Sequence, residues 1–286
     1  IYDKGTFKDA GRPYARCWIG SGSGSHGNVN VSEALEVSCN YFFYTVAYRM
    51  NKGAGDLSGI NTLNKYMEAF GLNSPTGVEI SELYDSMSQY PTHISSPEYK
   101  KYITQQRDAD AKESDYKWSA GDTIRTAIGQ SYNNYTSALM SKANGGTRYS
   151  MHFLNKVTNN DGKTEEEYQP KVESKIEIKK ENLDAIFKGM FLVTTGPRGT
   201  LRNYFKDFPV DVAAKSGTAQ QSSKRSEHTT FVAFAPLEDP QISVCVIIPF
   251  GNGTTGPAPK VAKVAISEYL KLDYKPELKS YDTLLH

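Results

Sequence analysis

The sequence has 286 residues, 38% of them hydrophobic and 23% charged, with a net charge of +1. That length is enough to bury a sizeable core, and near-neutral charge without interleaved aromatic and basic residues argues against a nucleic-acid partner. No run of about eighteen apolar residues is present, so no membrane-spanning helix is expected, and a start at Ile1 without a signal-peptide pattern reads as an excised segment.

In chain order, residues 1–30 are rich in Gly and Ser, and Ser21 to Gly27 reads as a loop. Gly22, Gly24 and Gly27 match G-x-G-x-x-G, but the strand, helix and acidic residue of a dinucleotide site are missing around them, so they are read as loop glycines. Asn30 and Glu33 form a capping-box pattern that opens a helix through Ala34 and Leu35. A second helix is expected over Tyr41 to Met50, with Phe42, Phe43, Val46, Ala47 and Met50 on one face. A third runs from Ile60 to Phe70 and stops at Gly71. Residues 81–118 read as a long polar surface insertion with a little helix. Thr123 to Ala127 and Ser137 to Ala143 read as short helices, residues 158–172 as charged and exposed, and Leu183 to Val193 as an amphipathic helix.

The last hundred residues change character. Val210 to Ala214 is a short strand candidate. His228 to Ala235 and Gln241 to Pro249 are clearer strands, joined by the tight turn Leu237-Glu238-Asp239-Pro240. Cys245 is expected to be a small buried hydrophobe in the second of them. Pro259 opens a final helix through Leu270, with Val261, Val264, Ala265 and Tyr269 towards the sheet. Helices first and a helix-covered hairpin last indicate an α+β fold, an antiparallel sheet flanked by helices plus a mostly helical lobe.

Two short patterns carry chemistry. Lys215-Ser216-Gly217-Thr218 combines a cation, two hydroxyls and a glycine beside a strand. That combination suits a carboxylate, because the ammonium and hydroxyls bind the anion and the glycine lets a substrate backbone approach. Ser38-Cys39-Asn40, between two helices, offers a hydroxyl able to relay a proton and an amide able to hold a substrate amide. Each pattern alone is equally readable as a polar turn or a strand end.

Together and in this order, the two patterns resemble the S-x-N and K-[ST]-G motifs of the penicillin-binding transpeptidase and serine β-lactamase superfamily. Longer stretches resemble its class B penicillin-binding proteins. These are Gly27-Asn28-Val29-Asn30 leading into Val37 to Tyr44, Gly71-Leu72 with Thr76 to Ile80, Ala127-Ile128-Gly129-Gln130, Ala213 to Gln220, and Phe231 to Pro236. The likeness runs from Ile1 to Leu270. It implies residues 1–272 as the C-terminal part of a transpeptidase domain and 273–286 as a tail. The family's nucleophile motif, S-x-x-K, belongs upstream of Ser38. Gly5-Thr6-Phe7-Lys8 looks like S-T-F-K but has glycine in the serine's place. The resemblance therefore implies a missing N-terminal segment, some tens of residues before Ile1, that carries the serine, its lysine and the first strands of the sheet. The strand Gln241 to Pro249 would then lack a neighbour.

By the same resemblance, the upstream serine attacks the D-Ala-D-Ala carbonyl of a peptidoglycan stem peptide and forms an acyl-enzyme, and an amine of a second stem peptide accepts it. Ser38 relays a proton, Asn40 binds the substrate amide, and Lys215 supplies positive potential. Ser216 and Thr218 bind the carboxylate, with Gly217 between them, and the Thr218 amide completes the oxyanion hole. β-Lactams acylate the same serine. The chain alone is expected to be inactive. The implied setting is the extracytoplasmic face of the bacterial cell membrane, among membrane partners of cell-wall synthesis, with no required cofactor. The rival readings are a β-lactamase-type hydrolase and a non-catalytic penicillin-sensing or scaffold domain.

Three cysteines, Cys17, Cys39 and Cys245, cannot all pair internally. Cys17, His26 and Cys39 lie close in sequence. They could hold zinc with a carboxylate such as Asp3 or Asp9, form a disulfide of the redox-sensitive kind that some sporulation-type relatives carry, or remain free thiols.

Overall fold

A computed structural model describes residues 1–22, 24–53, 55–73, 78–79, 94–133, 146–219, 226–251 and 257–274. The chain divides into two compact units, Ile1–Ile186 and Phe187–His286.

The first unit opens with four short strands, β1 (Tyr2–Asp3), β2 (Thr6–Phe7), β3 (Ala15–Arg16) and β4 (Gly27–Asn28), with a 3-10 turn at Trp18–Gly22. β1 pairs antiparallel with β4 and β2 with β3. The expected helix pair follows as α1 (Val31–Glu36) and α2 (Asn40–Met50). α1 starts where the sequence indicates. Asn30 Oδ1 accepts from the Glu33 amide at 3.0 Å, and Glu33 Oε2 accepts from the Asn30 amide at 2.8 Å. α2 buries Tyr41, Phe42, Tyr44 and Ala47, and Phe7 packs against the rings of Tyr41, Tyr44 and Tyr48 at 5.3, 6.1 and 5.6 Å. α3 (Ser58–Ala69) ends at Gly71, whose φ of 75° is the left-handed C′ conformation that glycine adopts without a Cβ clash.

The insertion has the helix expected of it and more, and part of it is buried where a surface segment was expected. Of its described part, α4 (Pro97–Arg107) and α5 (Glu113–Tyr116) are helical, and Ile94, Tyr99 and Trp118 are buried. The polar composition concealed a buried ion pair. Lys100 Nζ reaches Asp122 at 2.9 Å in α6 (Ala120–Thr126) and also donates to the Lys117 carbonyl at 2.8 Å. A charge satisfied in this way can be buried, so the lysine that reads as surface lies inside. Residues 137–143, expected as a helix, lie outside the described residues, as do Thr76 and Gly77.

Residues 147–175 form two small ribbons. β5 (Thr147–Tyr149) pairs with β8 (Val172–Lys175), and β6 (Lys156–Thr158) pairs with β7 (Thr164–Glu167). The charged stretch is exposed, as read, but it is extended chain. α7 (Lys180–Thr195) runs across the boundary between the units.

In the second unit α8 (Arg202–Phe205) precedes β9 (Ala213–Ala219), β10 (His228–Ala235), β11 (Ile242–Ile248) and α9 (Ala258–Leu270). The strands form an antiparallel sheet in the order β11-β10-β9. Ala214, Phe231, Ala233, Val244 and Val246 share a core with Ala258, Ala262 and Ile266 of α9. Three readings are corrected here. The strand begins at Ala213 instead of Val210, so Lys215-Ser216-Gly217-Thr218 lies inside it. α9 buries Ala262 and Ile266, while Val261 and Tyr269 are 49% and 58% exposed, because the small residues let the helix approach the sheet closely. Cys245 is exposed: Ile242, Val244, Val246 and Ile248 turn towards α9, and strict alternation turns Cys245 the other way.

Among the described residues no helix is long and apolar enough to cross a membrane.

Candidate functional site

Ser38 and Asn40 belong to the first unit and Lys215 to Thr218 to the second. The α1–α2 turn is a Schellman motif. The Cys39 amide donates to Ala34 O at 2.8 Å and the Ser38 amide to Leu35 O at 3.2 Å. Ser38 occupies its left-handed position, with φ of 53°. Glycine is the usual occupant, and a side chain there costs about 1 kcal/mol. Ser38 therefore carries a backbone strain at the head of α2 that glycine would not. Cys39 is the N-cap of α2 and Asn40 its first residue.

Immediately beneath this turn, Asp3, Cys17, His26 and Cys39 bring one ligand atom each within 4.8 Å of one another. Asp3 is the carboxylate of the two considered from sequence. It is fully buried. Its Oδ1 accepts from the Gly5 amide at 2.6 Å, and its Oδ2 accepts from the His26 amide at 3.1 Å and meets His26 Nδ1 at 2.8 Å. Cys17 Sγ lies 3.5 Å from the same Nδ1, and Cys39 Sγ 3.6 Å from Asp3 Oδ2. Both thiols are free, so the disulfide alternative is not what the structure holds. Burial would raise the Asp3 carboxyl, but the Gly5 and His26 hydrogen bonds together hold it below the usual range. The Cys39 thiol donating to Cys17 pulls Cys17 down to about 6 against the opposing effect of burial, with help from the Tyr41 amide. Cys39 is pushed up by the same interaction and by burial. The cluster thus sets a buried carboxylate beside a thiol whose deprotonation its neighbours favour, an arrangement suited to a cation. Bonds of about 2.0–2.3 Å around a tetrahedral zinc separate ligand atoms by about 3.3–3.8 Å. The two sulfur contacts fall in that range.

In the second unit, β9 pairs with β10 in the register Lys215–Val232, Ser216–Phe231, Gly217–Thr230 and Thr218–Thr229. Lys215 and Gly217 therefore share one face and Ser216 and Thr218 the other. Ser216 is buried. Lys215 is half-buried and donates to Ser216 O at 2.7 Å. Loss of solvation lowers its pKa to about 8. A β-carbon on Gly217 would strike the Thr230 hydroxyl, so any side chain there requires Thr230 to shift. Among the described residues Thr218 Oγ1 is buried with no hydrogen-bond partner. The sequence singled out this hydroxyl as an anion binder, but not its burial. A Ser114-Asp115-Tyr116-Lys117 match to S-x-x-K lies downstream of Ser38, against the motif order, with Ser114 exposed on α5.

Residues 2–266 match the family model described as penicillin binding protein transpeptidase domain. The chain is 33% identical over 252 residues to peptidoglycan D,D-transpeptidase MrdA of Escherichia coli K12, covering 82% of this chain and 36% of that protein. It is similar to Pseudomonas aeruginosa PBP2 in complex with WCK 5153, at 26% identity and a TM-score of 0.69, over 99% of this chain and 56% of that one. It shares the fold of Helicobacter pylori PBP2, solved in complex with MreC, at 21% identity and a TM-score of 0.70, over 95% of this chain and 45% of that one. The chain spans little more than a third of the length of its curated MrdA relatives.

Proposed function

This chain belongs to the penicillin-binding protein transpeptidase family, and from that premise we propose that it is the C-terminal part, residues 1–272, of a peptidoglycan D,D-transpeptidase domain. The observation that carries the reading is the family match over residues 2–266, which includes both the Ser38-x-Asn40 turn and the Lys215 strand. In the intact protein a serine from an upstream S-x-x-K segment attacks the penultimate D-Ala carbonyl of a stem peptide, expels the terminal D-Ala and forms an acyl-enzyme. Ser38 passes the proton towards the leaving amine. Asn40 holds the substrate backbone. Lys215 keeps the local potential positive for the terminal carboxylate. Thr218 and Ser216, on one face of β9, offer that carboxylate their hydroxyls, and the Thr218 backbone N–H serves the oxyanion. Gly217 leaves room for a peptide to lie along the outer edge of β9. An amine of a second stem peptide then takes the acyl group.

The same proposal places the intact protein at the extracytoplasmic face of the membrane, as a β-lactam target with cell-wall synthesis partners of the MreC kind. The experiment is to incubate the intact protein with a fluorescent penicillin and measure adduct by intact mass. One adduct per protein is expected. Absence of any adduct overturns the enzyme reading in favour of a scaffold.

We also propose a structural zinc at Asp3, Cys17, His26 and Cys39. Four protein ligands leave no open position, so the ion would brace the fold and take no part in acyl transfer. Elemental analysis is expected to give one zinc per chain. Retention of a full equivalent by the Cys17→Ser, Cys39→Ser double variant would rule the site out.

A further inference from the structure

Beside the metal-ligand cluster the first unit holds a cavity of about 500 Å3, lined by Lys4, Gly5, Thr6, Lys8, Asp9, Gly20, Gly24 and Tyr41. None of the roles assigned above uses it. Its volume is that of a small-molecule site. Its floor is peptide backbone, because the three glycines interlock. A β-carbon on Gly5 would lie 2.6 Å from Gly24 O, one on Gly20 2.5 Å from Gly5 O, and one on Gly24 2.8 Å from Ile19 O. The floor is held from behind. The Gly5 amide donates to Asp3 Oδ1 at 2.6 Å, and Gly5 O accepts from the Cys17 amide at 2.8 Å. One wall is Tyr41, packed against Phe7 and next to Asn40 in α2. The walls carry two ammonium groups, Lys4 and Lys8, one carboxylate, Asp9, and the hydroxyls of Thr6 and Tyr41.

We propose that this cavity binds the zwitterionic end of an amino acid, a carboxylate and an ammonium on the same carbon. The lysines take the carboxylate and Asp9 takes the ammonium. A simple dianion would satisfy the lysines but meet repulsion from Asp9. A simple amine would satisfy Asp9 but meet two ammonium groups. Only a ligand carrying both charges answers all three side chains. This rests on the transpeptidase reading for its identity. The acceptor there is a stem-peptide amine, and an acceptor whose amine shares its carbon with a carboxylate presents this zwitterion. Tyr41, one residue beyond Asn40, places such an acceptor subsite at the start of the same helix.

The test is a calorimetric titration of the intact protein with meso-diaminopimelate, pimelate and cadaverine, three molecules of shared carbon spacing that present both charges, carboxylates alone and amines alone. Diaminopimelate is expected to bind at least about tenfold tighter than either of the others. Lys8→Gln and Asp9→Asn are each expected to weaken it about tenfold. Equal binding of pimelate, or undiminished binding of diaminopimelate by both variants, overturns the proposal without requiring any variant to be active. A wild-type protein that binds diaminopimelate in this way yet takes no penicillin adduct would retain the subsite and lose the transpeptidase reading. An adduct without diaminopimelate binding would do the reverse.

Discussion

Ser38 sits where a Schellman turn ordinarily places glycine, so structure and proposed chemistry pull in opposite directions at this residue. Ser38→Gly is expected to raise stability by about 1 kcal/mol by removing the left-handed strain. It is expected to lower turnover by about a hundredfold or more through loss of the relaying hydroxyl. Melting and acyl-transfer rates on the same sample check both, and an unchanged turnover would remove Ser38 from the mechanism. Lys215 supports a second prediction. Burial disfavours its charged form and lowers its pKa to about 8, so the positive potential is present below that pH and fades as pH rises through it. The rate of β-lactam acylation is expected to decline on the alkaline side with a midpoint near 8, and Lys215→Arg is expected to shift that limb beyond the measured range. A profile flat from neutrality to mild alkali in the wild type would contradict the assignment.

Elements in this chain are held in place by a few cross-connections. α4 is tied to α6 by the Lys100–Asp122 pair, whose side chains are only 9% and 11% exposed. Lys100→Met leaves Asp122 buried without its cation and is expected to cost about 3 kcal/mol, read as a drop in the denaturation midpoint. A loss below about 0.5 kcal/mol would mean the pair is solvated in solution. β9 meets β10 at Gly217 opposite Thr230, where a side chain would collide with the Thr230 hydroxyl. Gly217→Ala is expected to cost about 2 kcal/mol from overpacking, most of it recovered in the double variant with Thr230→Ala, because the clash is with the Thr230 hydroxyl. Independent, additive losses would show that the strand does not depend on this contact.

At the scale of the whole molecule, the described residues form two cores. One is built on Phe7, Cys17, Cys39, Tyr41, Phe42 and Tyr44, the other on Phe205, Val212, Phe231 and Ile266. Each carries one of the two motif sets. Under the proposed function neither set includes the nucleophile. This chain alone is expected to take no covalent penicillin label under conditions that label the intact protein, and labelling of the isolated chain would place the attacking serine within it.

The elements that sequence determined are those whose signals are local. The Asn30–Glu33 box, the glycine after α3, the apolar alternation of β10 and β11 and the proline opening α9 each depend on residues within one or two turns. The two motifs are contiguous, so they were legible too, and with them the family. The rest depended on partners far apart in the chain. Asp3 joins the sulfur and imidazole ligands across 36 residues from Cys39, and no spacing rule separates it from Asp9, because only the pairing of β1 with β4 turns its carboxylate inward. Lys100 reads as surface until α6 supplies Asp122. Cys245 reads as core until the side of β11 that α9 covers is known. A charge or a thiol has no fixed preference for the interior: what it meets there is set by packing, and packing is decided only when the elements come together.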